Sequence, residues 1–478
     1  MRDTALVHDQ EAIVAQCTPQ GSGALALVRI SGINAVTVAA RISVLASGQS
    51  LLDLPTHTIH YGSVIEPDRS CIDNVLFFLM RGPKTFTGQD TVEITCHNNP
   101  FIIEKIIEVA IGSGARLAHN GEFSYRAVLN EKIDIVQAEG INELIHANTQ
   151  MGLKQALSQV NGSFSQWIND LEKKLIKALA FCEASFEFID EEMAFDTQIK
   201  EIISDVLASI ETIKLTFDKQ KHIRQGVRIA IIGSVNVGKS SLFNAFLHQK
   251  RAIVTSIPGT TRDVIEAGLY RDGNYWTLID TAGLRETEDV IEQEGIERSF
   301  EQAELADIIM LVFDASRVLT AQEESVYKKI YEQYTSKIIS VRTKIDVLSE
   351  HDIKRDNVND SNYFDIYHGK NSFFTHACGV SSKTGEGMSR LEAAISHYIA
   401  ELFASSNSPF LLNKRHFNIL LSLEKELHHI QESCAATIQY ELISYHLNDA
   451  LAHLAELTGK SISEQGMDAV FREFCVGK

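Results

Sequence analysis

The chain has 478 residues, 44% of them hydrophobic and 22% charged, with 28 Gly and 7 Pro. At about 150 residues per domain the length predicts about three domains, and the composition excludes collagenous, low-complexity and globally disordered chains. A net charge of −19 excludes a generic polyanion binder, so any nucleic-acid contact needs a local basic patch or a partner protein. Seven scattered cysteines without a CxxC pair predict neither a disulfide framework nor a structural zinc site. With no apolar leader in the first ten residues and no membrane-length apolar run, a cytoplasmic protein without membrane contact is expected.

Up to about residue 130, short apolar runs alternate with Gly-containing breaks. Ala24–Ile30 and Val75–Met80 read as buried strands, and Phe101–Ile111 reads as a helix with Ile102, Ile103, Ile106, Ile107 and Ala110 on one side, an α/β or α+β pattern. From about 131 the period becomes helical. Leu153, Leu157, Val160, Phe164, Ile168, Leu171, Leu175, Leu179 and Cys182 form one apolar stripe. Ile199, Ile203, Val206, Ile210 and Ile213 form a second after an acidic break at Asp190–Glu192, and both predict helix-bundle core. Val227–Ile232 opens a βα alternation that runs to about 400 and predicts a mostly parallel sheet. Helical sequence returns after Pro409. Residues 226–401 are therefore expected to be inserted into a helical domain made of 131–225 and 402–478, behind an N-terminal domain of 1–130.

Gly233-Ser234-Val235-Asn236-Val237-Gly238-Lys239-Ser240 follows the strand and opens a helix at Ser241. This is the G-x-x-x-x-G-K-[ST] loop: backbone N–H groups cradle phosphates, Lys239 reaches the outer phosphates and the Ser240 hydroxyl ligates Mg²⁺. Further elements follow in order. Gly259, Thr260 and Thr261 supply a hydroxyl that can sense the γ-phosphate, with Thr255, Ser256, Ile257 and Pro258 leading into them. Asp280, Thr281, Ala282 and Gly283 can hold Mg²⁺ through water and meet the γ-phosphate. Thr343, Lys344 and Asp346 place a carboxylate that accepts from the guanine N1–H and N2–H₂, which adenine cannot satisfy. Ser381, Ser382 and Lys383 offer a backbone N–H to guanine O6. This set specifies GTP. Leu284 stands where Ras-type GTPases carry a water-orienting glutamine, so another group must position water. Asn236 lies where some GTPases bind K⁺ through an Asn side chain; otherwise it is a turn former.

With these motifs the chain resembles the MnmE/TrmE family of tRNA modification GTPases over essentially its whole length. Leu27-Val-Arg29-Ile-Ser-Gly32, Phe86-Thr-Gly88, Gly121-Glu-Phe-Ser124, Gln137-Ala-Glu139 and the terminal Cys475-Val-Gly477-Lys478 carry the resemblance. It implies a multidomain α/β plus all-α protein: an N-terminal α/β folate-binding and dimerisation domain, a helical domain ending in the Cys-x-Gly-Lys tail, and an inserted Ras-like G domain activated by K⁺. It further implies a homodimer that works with an FAD-dependent partner, MnmG, on the wobble uridine of certain tRNAs, with 5-formyl- or methylene-tetrahydrofolate as one-carbon donor.

Residue by residue, the resemblance implies K⁺ at Asn236, Thr255, Ile257 and Thr260, and Mg²⁺ at Ser240 and Thr261. Folate would meet Arg29, Glu93, Lys132 and Lys478, and Cys475 would act in the modification. Glu292, twelve residues after Asp280, would orient water; apart from the resemblance it reads as an exposed helix Glu among its acidic neighbours. Three departures carry expectations. Thr343 replaces the usual Asn, whose amide ties neighbouring loops, which predicts weaker nucleotide binding. Asn98-Asn99 replaces Gly-Gly and Gly21-Ser22-Gly23-Ala24 stands for Gly-[Lys/Arg]-Gly-Gly, lost glycines that bear on backbone approach to the folate; Asn120 also stands where Pro is usual. The alternatives are a ribosome-assembly GTPase, which would carry a basic RNA-binding module or a second P-loop, and a GTP-binding scaffold with little turnover, suggested by Leu284 and Thr343.

Overall fold

The computed structural model describes residues 11–187, 195–247, 265–280, 300–348, 377–404, 408–435 and 439–477. The chain forms two compact units, one of Met1–Ile145, Ala156–Thr212 and Leu412–Lys478, the other of His146–Gln155 and Ile213–Leu411.

The first unit contains a seven-stranded sheet of β1 (Ala12–Gln16), β2 (Leu25–Ser31), β3 (Ser43–Leu45), β4 (Thr58–Ile65), β5 (Cys71–Met80), β6 (Thr91–His97) and β7 (Ala115–Leu117), in the order β3-β4-β5-β6-β2-β1-β7. Alternation sets the faces: Val75, Phe77 and Leu79 of β5 are buried while Asn74 and Leu76 are exposed. The helix Pro100–Gly112 puts Ile103, Ile106 and Ala110 into the core that these strands share. Its N-terminus is capped by Asn99, whose Oδ1 accepts from Phe101 N–H at 2.9 Å.

The rest of this unit is helical. Phe164, Ile168, Leu171, Leu175 and Cys182 of the helix Ser163–Glu187 are buried, as are Leu447, Leu454 and Leu457 of Tyr440–Thr458. The predicted single stripe from Leu153 to Cys182 breaks in two. Gly162, with φ +90°, separates the helix Gln150–Val160 from its successor and shifts the phase of the apolar face. Leu153 and Leu157 are consequently 48% and 49% exposed. Beside buried Ala156, two buried glutamines of this short helix are bonded: Gln159 Nε2 donates to Val136 O at 3.0 Å, and Gln155, which belongs to the second unit, donates from Nε2 to Ser408 O at 2.7 Å.

A buried charge cluster joins helix Ile135–His146 to helix Lys414–Ala435. Glu139, 6% exposed, accepts from Arg415 Nη2 and meets His416 Nε2, both at 2.6 Å. Burial alone would raise the Glu139 pKa, but His416 and Arg415 outweigh it and hold the carboxyl below its ordinary range. A depressed folded pKa contributes stability above the unfolded value and loses it as pH falls through the folded value. Glu139→Gln, which leaves two cationic side chains uncompensated, should therefore cost about 3–5 kcal/mol at neutral pH. Urea unfolding at pH 7 and pH 4 checks this, and the penalty should shrink at the lower pH.

The second unit holds a six-stranded sheet of β8 (Val227–Ile232), β9 (Ile265–Arg271), β10 (Asn274–Asp280), β11 (Ile308–Asp314), β12 (Ile338–Thr343) and β13 (Ala377–Gly379), in the order β13-β12-β11-β8-β10-β9. All pairings are parallel except the β9–β10 hairpin. Every residue of β11 is buried, as a strand covered on both faces requires. The chain leaves β8 for β10 on one side and later returns to β11 on the other. The carboxyl end of β8 is thus a topological switch point, where open α/β sheets bind ligands. Among the described residues, no helix is long and apolar enough to cross a membrane.

Candidate functional site

The loop after β8 is shaped by contacts that exclude side chains. A Cβ on Gly233 would lie 2.3 Å from Val312 O, so only glycine lets the chain turn off the strand there. Asn236 adopts φ +60° and Gly238 φ +98°, which aims the backbone into the start of helix Lys239–Leu247. Val237 is buried and anchors the loop in the core. Lys239 Nζ donates to Gly233 O and Ser234 O, both at 2.7 Å. Burial lowers the Lys239 pKa, opposed by the charge of Asp280. Ser240 Oγ donates to Asp280 Oδ2 at 3.0 Å, and Asp280 is 1% exposed at the end of β10. A hydroxyl and a carboxylate at this separation are the hard oxygen donors that suit Mg²⁺. Ser241 is exposed in the first turn of the helix.

The elements expected to read guanine converge on the same end of the sheet. Ser381 Oγ, fully buried, donates to Asp346 Oδ1 at 2.7 Å and accepts from Thr384 N–H at 3.2 Å, which fixes the carboxylate's orientation. Asp346 and Lys383 are exposed and Ser382 is half-buried. Lys344, at φ +60°, donates from Nζ to Asn236 O at 2.8 Å and to Asp314 Oδ2 at 2.7 Å. Asp314 has no motif to announce it; only its place at the carboxyl end of a buried strand could have pointed to it. Burial would raise its pKa, but Lys344 and Ser316 outweigh this and lower it.

Thr343 contacts the neighbouring loops through a hydroxyl where the family carries an amide. Its hydroxyl lies within hydrogen-bonding reach of Val237 O and of Phe313 O, the latter at 3.2 Å. Its single proton serves one carbonyl at a time, but the side chain spans the gap to the phosphate loop that the missing amide was expected to leave open. Thr255, Ser256, Ile257, Pro258, Gly259, Thr260, Thr261, Thr281, Ala282, Gly283, Glu292 and Lys478 lie outside the described residues.

A second cluster forms in the first unit. Arg29 and Glu93 face each other across β2 and β6 and pair at 2.8 Å through Oε1. The Arg29 guanidinium lies 5.3 Å from the ring centre of Phe123 and 6.0 Å from that of Phe86. Lys132 Nζ donates to Pro83 O at 2.9 Å, at the base of the loop that carries Phe86. The tail reaches the same neighbourhood. Gly121 N–H donates to Cys475 O at 3.3 Å, Val476 bridges Asn120, and Cys17 Sγ donates to Gly477 O at 3.1 Å. Two glycines permit this: a Cβ on Gly121 would lie 2.5 Å from Phe471 O, and one on Gly477 2.3 Å from Gln16 O. The turn Gly121–Phe123 therefore touches the tail at one end and Arg29 at the other. Phe86, Phe123 and Cys17 were missed by sequence reasoning as members of this cluster. Of the predicted set, Cys475 meets this turn at one end and Arg29, paired with Glu93, at the other, while Lys132 is tied to the loop that carries Phe86.

Comparison with known proteins gives two family models, the GTP-binding protein TrmE N-terminus over residues 12–132 and the MnmE helical domain over residues 135–475. The tRNA modification GTPase MnmE of Carboxydothermus hydrogenoformans is 35% identical over 98% of this chain and 100% of its own. This chain belongs to the MnmE family of tRNA modification GTPases. The MnmE of Geobacillus kaustophilus is 36% identical over 98% of this chain and 99% of its own. Among solved structures, the G domain of the T. maritima FeoB iron transporter covers 36% of this chain and 98% of that one, at 28% identity and a TM-score of 0.25. As a member of this family the chain is a GTP-hydrolysing enzyme. Its departures from the family pattern have structural uses: Asn99 caps a helix, and Asn98 Nδ2 donates to Gly21 O at 2.8 Å, bracing the loop before β2.

Proposed function

We propose that the chain is the GTP-hydrolysing component of a tRNA wobble-uridine modification system. With an FAD-dependent MnmG-type partner it installs a carboxymethylaminomethyl or aminomethyl group at C5 of the uridine at position 34, with a tetrahydrofolate as one-carbon donor. The observation that carries this reading is the presence of a phosphate loop with Asp280, Asp346 and Ser381 in one unit and of the docked tail residues Cys475–Gly477, joined through the Gly121–Phe123 turn to Arg29 and Glu93, in the other. Guanidinium, carboxylate and flanking aromatic rings suit a folate, which carries a flat pterin with polar edges and a charged glutamate. Glu93 Oε2 has no partner among the described residues, so it can accept from a bound ring. The chain acts as a homodimer, and its tRNA contact runs largely through the complex, as the acidic balance favours. Loss of the gene should remove the modified wobble uridine from tRNA hydrolysates examined by mass spectrometry. Unchanged wobble uridine would overturn the reading.

In the nucleotide site, Ser240 and Thr261, with Asp280 through water, would hold Mg²⁺, which when bound neutralises charge between the β- and γ-phosphates. Glu292 would orient water. Asn236, with Thr255, Ile257 and Thr260, would hold K⁺ where other GTPases use an arginine finger, an effect worth about 10³–10⁵ in rate in the finger case. GTP turnover should therefore rise at least tenfold in K⁺ over Na⁺ at equal ionic strength, and Asn236→Ala should abolish the difference. Equal rates in the two salts would sink the cation assignment.

A further inference from the structure

We propose that Tyr327 is a positioning residue of the phosphate loop, its hydroxyl pinning Ser234 to β11 so that the loop keeps the shape that receives the GTP phosphates. Tyr327 lies on the helix Ala321–Tyr334, outside every guanine-nucleotide motif of the chain. It is 2% exposed, and a buried phenol needs hydrogen-bond partners. Its hydroxyl donates to Val312 O at 2.9 Å and accepts from Ser234 N–H at 2.7 Å, with Ser234 Oγ 3.1 Å away.

The geometry makes this a clamp on the loop. Val312 O is the atom against which Gly233 is pressed, 2.3 Å from where a Cβ would stand. Gly233 and Ser234 are thus fixed to the same carbonyl, one by close approach and the next by the Tyr327 bridge. Ser234 O in turn accepts from Lys239 Nζ at 2.7 Å. A displacement of Ser234 therefore displaces the group that reaches the outer phosphates.

The helix that carries Tyr327 is itself braced. Thr320 and Glu323 form a reciprocal cap, and Arg317 pairs with both Glu323 oxygens at 2.9 and 2.6 Å. Arg317 in the first place, with the Thr320 N–H and Ser234 also contributing, draws the Glu323 pKa down to about 2. Glu323 and Tyr327 are four residues apart and share a helix face, so the cap that braces the helix lies one turn from the phenol that holds Ser234.

Tyr327→Phe keeps the ring and strips the bridge, leaving the Ser234 N–H and the Val312 carbonyl without this partner. In the full-length protein, the Kd for a fluorescent GDP analogue and the KM for GTP should each rise about tenfold, with kcat changed less than about threefold. This pattern marks lost binding rather than lost transition-state contact. A purely structural tyrosine would lower the melting temperature of the nucleotide-free protein and leave the Kd within twofold of wild type; that result overturns the proposal. Should the variant not fold, amide hydrogen exchange on the nucleotide-free wild type decides. Strong protection of the Ser234 N–H supports the bridge, and exchange at the rate of an open loop overturns it.

Discussion

Asp346→Asn should move the enzyme's base preference from guanine to xanthine nucleotides. In the proposed site the carboxylate would accept two hydrogen bonds from the guanine edge, and an amide reverses the polarity of one of them. Removing one partner of a desolvated charge-assisted contact costs about 2–5 kcal/mol, so the GTP Kd should rise by about 30-fold or more. Xanthosine triphosphate, with a carbonyl in place of the exocyclic amine, should then bind more tightly than GTP. Ser381 Oγ at 2.7 Å presets the carboxylate's orientation before nucleotide arrives, so Ser381→Ala should weaken GTP less and leave the preference for guanine unchanged. Competition titrations with the two triphosphates measure both variants. An Asp346→Asn protein that binds GTP like wild type would remove Asp346 from the role of base reader.

Deleting Cys475–Lys478 should abolish wobble-uridine modification while intrinsic GTP hydrolysis stays within about twofold of wild type. The tail is held at three points in the first unit, by Gly121 N–H, by Asn120 and by the Cys17 thiol, whereas every described hydrogen bond of the phosphate loop lies in the second. Gly477→Val is the sharper variant. At φ +92°, with 2.3 Å between the added carbon and Gln16 O, a valine cannot stay docked, yet all the chain's chemical groups remain. It should match the deletion in modification, and Cys475→Ser should show whether the sulfur itself is needed. Full modification by either tail variant would make the docking structural only. Loss of GTP hydrolysis alongside would deny that the two activities are separable.

The nucleotide site was legible in the sequence because phosphate binding is local. Strand, Gly233, Gly238, Lys239 and Ser240 lie within one short stretch, and each is required by backbone geometry that neighbouring residues set. The helical stripes were legible for the same reason where a single helix runs on, as from Phe164 to Cys182. They failed at Leu153 and Leu157 because one glycine at φ +90° changes the phase, and periodicity counted across it no longer reports a single face. The family resemblance named Arg29, Glu93, Lys132 and Cys475, but not what stands between them.

Only the tertiary structure decided contacts that close across the chain. Cys17 meets Gly477 across 460 positions, Thr343 meets Val237 across 106, and Tyr327 meets Ser234 across 93. Cys17 and Tyr327 carry no motif and Thr343 departs from one, since a thiol, a threonine hydroxyl and a buried phenol acquire their roles from whichever carbonyl or N–H the fold brings within about 3 Å. Sequence by itself determined that a phosphate loop with guanine-type elements is present, while Arg29, Glu93, Lys132 and Cys475 were pointed to only by the family resemblance. Packing decided which groups hold that chemistry in place, because a hydrogen bond depends on distance and direction in space while a sequence records only order along the chain.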